Sequence, residues 1–159
     1  MSHYEITTLL LQAITGFVVL ATLIVYHRQL VVMTKQLKTM QESSQAANSL
    51  ILVNYLQSPD VRNARRCVRE VLSKKHLKDW TEDERKEASL VVANYDVVAA
   101  LLKAGLSPSD LIVTNWAHSI KHCYEILKPF INEYRNMDAA NASFWSNFEW
   151  LYTEATKAN

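Results

Sequence analysis

The sequence predicts an all-α protein in which an N-terminal transmembrane helix continues into a long helix, followed by a bundle of about four helices. Only two Gly and three Pro occur in 159 residues, whereas sheets with tight hairpins need turn glycines. Residues 6–26 form a 21-residue run without charge, long enough to cross a bilayer as a helix. Beyond this run, apolar residues recur every three or four positions, which indicates further helix.

Composition narrows the classes of function. The formal net charge is +1, so bulk attraction to nucleic acid is not implied and any basic site must be local. No P-loop, GxGxxG or GxSxG pattern occurs in the sequence, and phosphate-cradling loops need such glycines. We therefore expect no cofactor. No small-molecule substrate is evident, and a non-enzymatic role is favoured over catalysis. The two cysteines, Cys67 and Cys123, suit reduced thiols.

We divide the chain into a tail with a transmembrane helix (1–27), a connecting helix (28–58) and a cytoplasmic helical domain (59–159). His3 and Glu5 precede the apolar run, and Arg28, Lys35 and Lys38 follow it. By the positive-inside rule, we expect the N-terminus to lie outside the bacterial inner membrane and the rest of the chain to lie in the cytoplasm. A signal peptide is disfavoured because residues 1–5 carry no Lys or Arg. The alternative is a buried core helix.

The predicted span carries a polar stripe on one face. The polar residues follow steps of four, three and seven, with a glycine beside them, and are Thr8, Gln12, Thr15 and Thr22 with Gly16. Small and hydroxyl residues let helices approach closely, and an amide in hydrocarbon requires a partner. We expect association between helices here. The alternative is that each Thr bonds to its own backbone.

A heptad of apolar residues follows the span. Its positions alternate in steps of three and four, with Ser44 as the one polar member, and are Leu30, Met33, Leu37, Met40, Ser44, Ala47 and Ile51. Such a seam pairs with another helix, either in the same chain or in a second copy. The polar segment 41–48 leaves open whether the helix continues through Ser43 and Ser44.

Four helices are predicted in the cytoplasmic domain. The first runs from Pro59 to about Lys75. The second begins at a Thr81–Glu84 capping box and ends at Gly105. The third starts at Ser107–Pro108 and is expected to kink or restart at Pro129. The last runs from about Ser143 to Ala155.

One face of the first of these helices is rich in arginine. Its basic residues are Arg62, Arg65, Arg66 and Arg69, with Ser73 and His76 beside them. Guanidinium groups suit phosphate oxygens, so this face is a candidate for binding phosphate, nucleic acid, anionic lipid or a protein partner. The alternative is a solvated face, neutralised by acidic residues in 81–87.

The segment from Arg69 to His76 places six residues between an Arg and a His. This spacing resembles the signature of HEPN ribonucleases, in which the two side chains converge in a dimer to cut RNA. The resemblance implies that His76 handles protons and that Arg69 stabilises the phosphorane charge. Because both residue types are frequent in this chain, the two are only weak catalytic candidates.

His118 and His122 are four residues apart on a predicted helix. Two histidines at this spacing are able to grip a metal ion from one face. No third ligand is evident, so we expect a surface or interface pair and no metal site.

A pattern of residues extends over about residues 85–155 and comprises Gly105, Asp110, Trp116, Leu127, Pro129, Phe130, Arg135, Phe148, Glu149 and Leu151. In this pattern the C-terminal half resembles a family of small bacterial membrane-anchored proteins of unknown function. The resemblance implies one N-terminal span followed by a helical domain. The architecture is also similar to that of the transmembrane accessory protein of type VI-B CRISPR systems, which implies antiviral defence and a pore-like oligomer.

Three functional hypotheses follow. The leading one is a self-associating, membrane-anchored accessory or effector factor in bacterial antiviral defence, whose partners are the lipid bilayer, copies of itself and a defence complex. The second is a membrane-tethered HEPN-like domain that binds or cleaves RNA. The third is a non-catalytic membrane scaffold for a protein partner.

Overall fold

The computed structural model describes residues 3–138 and 141–158, and no strand occurs among them. The α-helices are α1 (His3–Gln57), α2 (Pro59–Glu70), α3 (Glu82–Lys103), α4 (Ser109–Met137) and α5 (Ser146–Lys157). Two short 3-10 turns, Leu72–Lys74 and Leu77–Asp79, connect α2 to α3. The predicted all-α fold, with a long N-terminal helix followed by shorter helices, is confirmed.

The chain divides into two units, Met1–Ser44 and Gln45–Asn159. Every described residue of the first unit is exposed. By length and composition α1 is able to cross a membrane, and none of its most apolar segment is buried. Ser43 and Ser44 are both helical, which answers the question of continuity that the sequence left open.

The second unit is a helical bundle around one apolar core. Helix α3 contacts α2, α4 and α5, and α4 also packs against α5. The last turns of α1 contribute Leu52 and Leu56 to this core. A serine pair joins α1 to the segment just before α4, because the Oγ atoms of Ser49 and Ser107 lie 2.6 Å apart.

Local sequence signals set both ends of α3. Thr81 Oγ1 accepts a hydrogen bond from the Glu84 backbone N–H at 3.3 Å, and the Glu84 carboxylate accepts from the Thr81 N–H at 2.9 Å. At the other end Gly105 adopts φ 72°, and the Leu106 N–H donates to the Leu101 carbonyl at 3.2 Å. This is a Schellman motif, which favours glycine at the left-handed position. The predicted capping box and glycine cap are both confirmed.

Helix α2 ends earlier than predicted. Its last residue is Glu70, whereas the sequence pattern extended the helix to about Lys75. After Val71 the chain tightens, because Lys74 and Lys75 donate their N–H groups to Val71 and Leu72, three residues back. Such 3-10 turns are frequent where α-helices end. His76 therefore does not lie on α2.

Helices α4 and α5 also differ from the prediction. The restart expected at Pro129 is wrong, because α4 continues through it to Met137. Phe130 and Ile131, which follow the proline, are buried in the core, and this packing offsets the hydrogen bond that proline removes. Helix α5 starts at Ser146, three residues later than predicted, because Trp145 adopts a left-handed conformation with φ 58°.

Candidate functional site

Helix α2 presents four arginines at positions i, i+3, i+4 and i+7, a spacing that places side chains on one face. Pro59 occupies the first turn of α2, where the missing N–H costs nothing. The buried residues Val61, Ala64 and Val68 fix the opposite side in the core. This anchoring determines the direction in which the arginines project.

The four arginines line one pocket of about 480 Å³. The lining contains no carboxylate and consists of Gln57, Pro59, Arg62, Asn63, Arg65, Arg66 and Arg69. All these residues belong to the second unit. The structure thus brings together the four arginines that the sequence selected, in a concave and positively charged setting.

Arg65 differs from the solvated arginine that the alternative interpretation expected. Its side chain is 5% exposed, and its Nη1 atom is buried without a hydrogen-bond partner. The guanidinium carbon lies 6.0 Å from the centre of the Tyr95 ring, a contact that compensates a cation only in part. Because Arg65 is buried rather than exposed to solvent, the solvated interpretation is wrong for this residue.

Arg69 belongs to a polar network behind the pocket. Its Nη1 atom donates to Ser119 Oγ at 3.3 Å, and Ser119 Oγ lies 2.9 Å from the Tyr95 hydroxyl. Burial raises the pKa of Tyr95 well above its ordinary value of 10, against the opposing effect of the Ser119 hydrogen bond. Tyr95 therefore stays neutral and holds the arginines through hydrogen bonding and ring contact.

Sequence reasoning did not select Tyr95 and Ser119 as site residues. The available signal was a polar group on an apolar helix face, since Tyr95 lies one helical turn after the buried Val91 and Ser119 directly precedes the buried Ile120. Such a signal does not name a partner, because Tyr95 and Ser119 are 24 residues apart and meet only in the folded bundle.

The pocket arginines are not neutralised by carboxylates. Among residues 3–138 and 141–158, none of the four forms an ion pair, whereas Arg85 pairs with Glu133 at 3.0 Å and Arg135 with Glu149 at 3.1 Å. Within segment 81–87, Glu84 pairs with Lys75, and Glu82 and Asp83 pair with Lys86. Glu87 lines a neighbouring groove and not the pocket. The pocket consequently keeps its positive charge.

Arg69 and His76 do not share a helix face. Arg69 lies in the last turn of α2 and is directed to Ser119, whereas His76 is exposed and follows the 3-10 turn Leu72–Lys74. Within one chain, Arg69 and His76 therefore do not take the HEPN-like arrangement that a continuous helix would give them.

The two histidines of α4 lie side by side. The rings of His118 and His122 stack with their centres 5.9 Å apart and their planes 7° apart. No group of three or more His, Cys, Asp or Glu side chains suited to a metal ion occurs in the described part of the chain. The pair alone therefore offers two ligands from one helix.

The predicted association residues of α1 are all exposed. The hydroxyls of Thr8, Thr15 and Thr22 donate to backbone carbonyls four residues earlier, at 2.8–2.9 Å. Each hydroxyl is satisfied within the helix, as the alternative interpretation anticipated. The side chain of Gln12, by contrast, has no hydrogen-bond partner among the described residues.

The seam residues of α1 beyond the apolar run are exposed as well. The side chains of Leu30, Met33, Leu37 and Met40 are each more than half exposed, at 63%, 57%, 63% and 68%. The seam residues lie on nearly the same helix face as some positions of the apolar run, because the helix is unbroken and positions seven apart return to nearly the same face. Leu9, Gly16, Leu23, Leu30 and Leu37 form one such series, and Thr8, Thr15, Thr22, Gln29 and Gln36 form a second one beside it. The polar stripe and the heptad thus share one register, which the sequence analysis had treated as two features.

These features define a class of protein: an all-α bundle preceded by a long helix able to cross a membrane, with an arginine-lined pocket in the bundle. The family model of a domain of unknown function, DUF4760, matches residues 9–155. The chain therefore belongs to the DUF4760 family. The match includes most of the apolar run of α1 as well as the bundle, and so extends beyond the C-terminal resemblance seen in the sequence.

No curated protein and no solved structure matches the chain.

Proposed function

We propose that this protein is a single-pass membrane protein that associates with copies of itself through α1 and acts without catalysis. The observation that carries the proposal is the complete exposure of α1 from His3 to Ser44. The apolar side chains of this segment need a covering other than water. Lipid covers residues 6–26, and a second helix covers the seam that follows.

We expect protein rather than lipid to cover the seam from Leu30 to Met40, because charged residues lie on the same stretch of helix. Burying a Leu or Met side chain contributes about 1.5–3 kcal/mol, so four seam residues per chain supply a substantial driving force. The length of α1 beyond the apolar run allows about two heptads in this stretch, and association of the spans adds to them.

The distribution of charge around the seam allows a second copy of the same chain to pair with it. The positions that flank the seam are uncharged and comprise Gln29, Thr34, Gln36 and Gln41. The charged residues Arg28, Lys35, Lys38 and Glu42 occupy positions away from the seam. Identical helices therefore meet without like-charge repulsion. Copies inserted in the same direction would lie parallel and in the same register.

The orientation we propose places the N-terminus outside the inner membrane and the bundle in the cytoplasm. It is supported by Arg28, Lys35 and Lys38, which follow the apolar run. Cytoplasmic flanks carry an excess of Lys and Arg. Labelling of a cysteine introduced at position 2 or at position 157 by a membrane-impermeant reagent tests the orientation in intact cells.

Light scattering of the full chain in detergent tests the association. We expect an oligomer at micromolar protein, and at least tenfold weaker association when Leu30 and Leu37 are both changed to Gln. The matched control changes Val31 and Val32 to Gln, since both are exposed but lie off the seam. A wild-type monomer at micromolar concentration, or equal weakening by both pairs, would overturn the proposal.

A role in bacterial antiviral defence is the pathway we propose for this assembly, with a pore-like oligomer as its form. Its support is the combination of one helix able to cross a membrane, an exposed apolar seam and a helical bundle. A phage plaque assay compares cells that express the wild-type chain with cells that express the Leu30→Gln, Leu37→Gln variant. Equal plaque counts in these cells and in cells without the gene would rule out this pathway.

The arginine pocket favours one alternative function, the binding or cleavage of RNA by a membrane-tethered domain. The four arginines form no ion pair within the described residues and are able to neutralise phosphates. Changing Arg69 and His76 together to Ala tests the catalytic version of this alternative. RNA cleavage by the wild type that the double change abolishes would support it, and the absence of cleavage by the wild type would exclude it.

A further inference from the structure

We propose that the arginine pocket of α2 binds the terminal phosphate of a small phosphorylated ligand, either a phosphate monoester or a diphosphate. This site shares no residue with the polar stripe or with the seam from Leu30 to Met40 on α1, and it lies wholly within the unit Gln45–Asn159.

The first support is the unmatched charge of the pocket. A set of four arginines lines about 480 Å³ without a carboxylate in the lining, although the bundle pairs its other two arginines with glutamates. Asp60 and Glu70 are also on α2, but both are exposed and neither lines the pocket. An anion is the missing partner in this charge pattern.

The second support is the buried guanidinium of Arg65. The side chain is 5% exposed and lines the pocket, and its Nη1 atom is buried without an acceptor among the described residues. Nearly all buried polar groups in folded proteins have hydrogen-bond partners. A ligand oxygen in the pocket would supply the acceptor that the described part of the chain does not.

The chemistry of the lining selects phosphate among anions. Guanidinium groups offer paired N–H donors that match the oxygens of phosphate, and several around one site favour a group with at least two negative charges. Arg62 and Arg69 stand on either side of Arg65 along the helix, one turn away from it. Arg66 also borders a neighbouring groove that contains Glu70 and Glu87, so we assign the main contacts to Arg62, Arg65 and Arg69.

The size and shape of the pocket favour a small ligand over a nucleic-acid strand. Its volume lies within the range of small-molecule sites, about 300–1,000 Å³. No aromatic ring lines it, whereas proteins that bind single strands stack bases on aromatic side chains. The pocket therefore recognises the phosphate end of a ligand and leaves the remainder of the ligand unspecified.

Pyrophosphate is the probe for the first test, with the full chain in detergent or lipid nanodiscs. We expect pyrophosphate to raise the melting temperature and to bind measurably by calorimetry, with affinity that falls as salt increases. Sulfate and chloride at matched ionic strength serve as anion controls. Equal stabilisation by these two anions would overturn the proposal.

Two variants locate the binding. Arg62→Gln changes an exposed side chain, and we expect at least tenfold weaker pyrophosphate binding without loss of folding. Arg65→Met removes the unpaired buried charge, so we expect the unliganded protein to melt at the same or a higher temperature and to lose its response to pyrophosphate. Lys128→Gln, which removes an exposed charge from α4, should respond like the wild type. A full response in either arginine variant would overturn the assignment.

Two further arms distinguish the sources of the phosphate. Nanodiscs of phosphatidylcholine alone are compared with nanodiscs that also contain phosphatidic acid, whose headgroup is a phosphate monoester. Loss of the pyrophosphate response in the second kind supports a lipid source, and its retention supports a soluble ligand. Tighter binding of a single-stranded RNA without a terminal phosphate, abolished by Arg62→Gln, would replace the proposal with nucleic-acid binding.

Discussion

The guanidinium of Arg65 lies 6.0 Å from the centre of the Tyr95 ring, and this contact joins α2 to α3 beneath the arginine pocket. The Tyr95 ring is itself fixed, because it stacks on Phe148 of α5 with the ring centres 5.0 Å apart. The position of the buried charge therefore depends on three helices. A ligand that pairs with Arg65 would be coupled to the packing of α5 through one aromatic ring.

Changing Ser119 to Ala should destabilise the bundle by about 1–3 kcal/mol. The Tyr95 hydroxyl is buried and would lose its partner at 2.9 Å, while Arg69 would lose the acceptor at 3.3 Å. Urea denaturation followed by circular dichroism measures the change. Ser73→Ala is the control, because this exposed serine bonds only to the Arg69 carbonyl, and we expect a change within about 0.5 kcal/mol.

Adding Tyr95→Phe to Ser119→Ala distinguishes this explanation from a general packing defect. Removal of both hydroxyls leaves no buried tyrosine hydroxyl without a hydrogen-bond partner. The double variant should therefore lose less stability than the sum of the losses in the two single variants. Strict additivity would contradict the direct hydrogen bond between the two side chains.

Changing Asp96 to Ala should cost about 1–2 kcal/mol of stability, because Asp96 caps α5 from α3. Its carboxylate accepts from the Phe148 N–H at 3.0 Å and from Asn147 Nδ2 at 3.3 Å. The residue in the cap position, Trp145, makes no capping hydrogen bond of its own. The measurement is a urea unfolding curve, and Glu125→Ala on the exposed side of α4 is the control. Equal midpoints for the two variants would contradict a capping role.

The two thiols should differ in reactivity. Cys67 is half-buried and Cys123 is buried, and burial raises the pKa of Cys123 from its ordinary value of 9.0 to about 11. At pH 8 we expect a disulfide reagent to modify Cys67 in the folded protein and Cys123 only after denaturation. A Cys67→Ser variant should show no reactive thiol until it unfolds. Rapid modification of that folded variant would show that the core opens at Cys123.

The raised pKa of Cys123 also sets the direction of a pH effect. The folded state favours the neutral thiol, so this contribution to stability is complete below about pH 9 and is lost as the pH rises towards about 11. Comparison of Cys123→Ala with the wild type across this interval measures the effect. The difference in the free energy of unfolding between the two proteins should move in favour of the variant as the pH increases.

The features that the sequence predicted correctly are those encoded by neighbouring residues. The Thr81–Glu84 capping box and the Gly105 cap each lie within a few residues of the chain, and both formed as expected. The end of α2 was missed, because helical periodicity continues past Glu70 while the backbone tightens into a 3-10 turn. Helix boundaries of this kind depend on small differences in local energy.

The site was predicted in part, for a different reason. Arginine spacing on α2 identified the residues of the pocket, but the burial of Arg65 depends on the Tyr95 ring, 30 residues away in the chain. The Asp96 cap of α5 likewise joins residues 52 apart. Periodicity within one helix carries no information about such partners, because they are set by how the helices pack.

Changing Gln12 to Leu should weaken association of the full chain by about 1–2 kcal/mol, because an amide in hydrocarbon gains a partner only from another helix. Gln12 lies three heptads before Met33, and its side chain has no partner within the described residues. Energy transfer between labelled copies in nanodiscs, over a range of lipid-to-protein ratios, measures the dissociation constant. The control is Ala21→Leu, an apolar change on the helix face opposite Gln12, which should leave the dissociation constant unchanged. Equal dissociation constants for Gln12→Leu and the wild type would show that the seam beyond Tyr26 assembles the protein without help from the span.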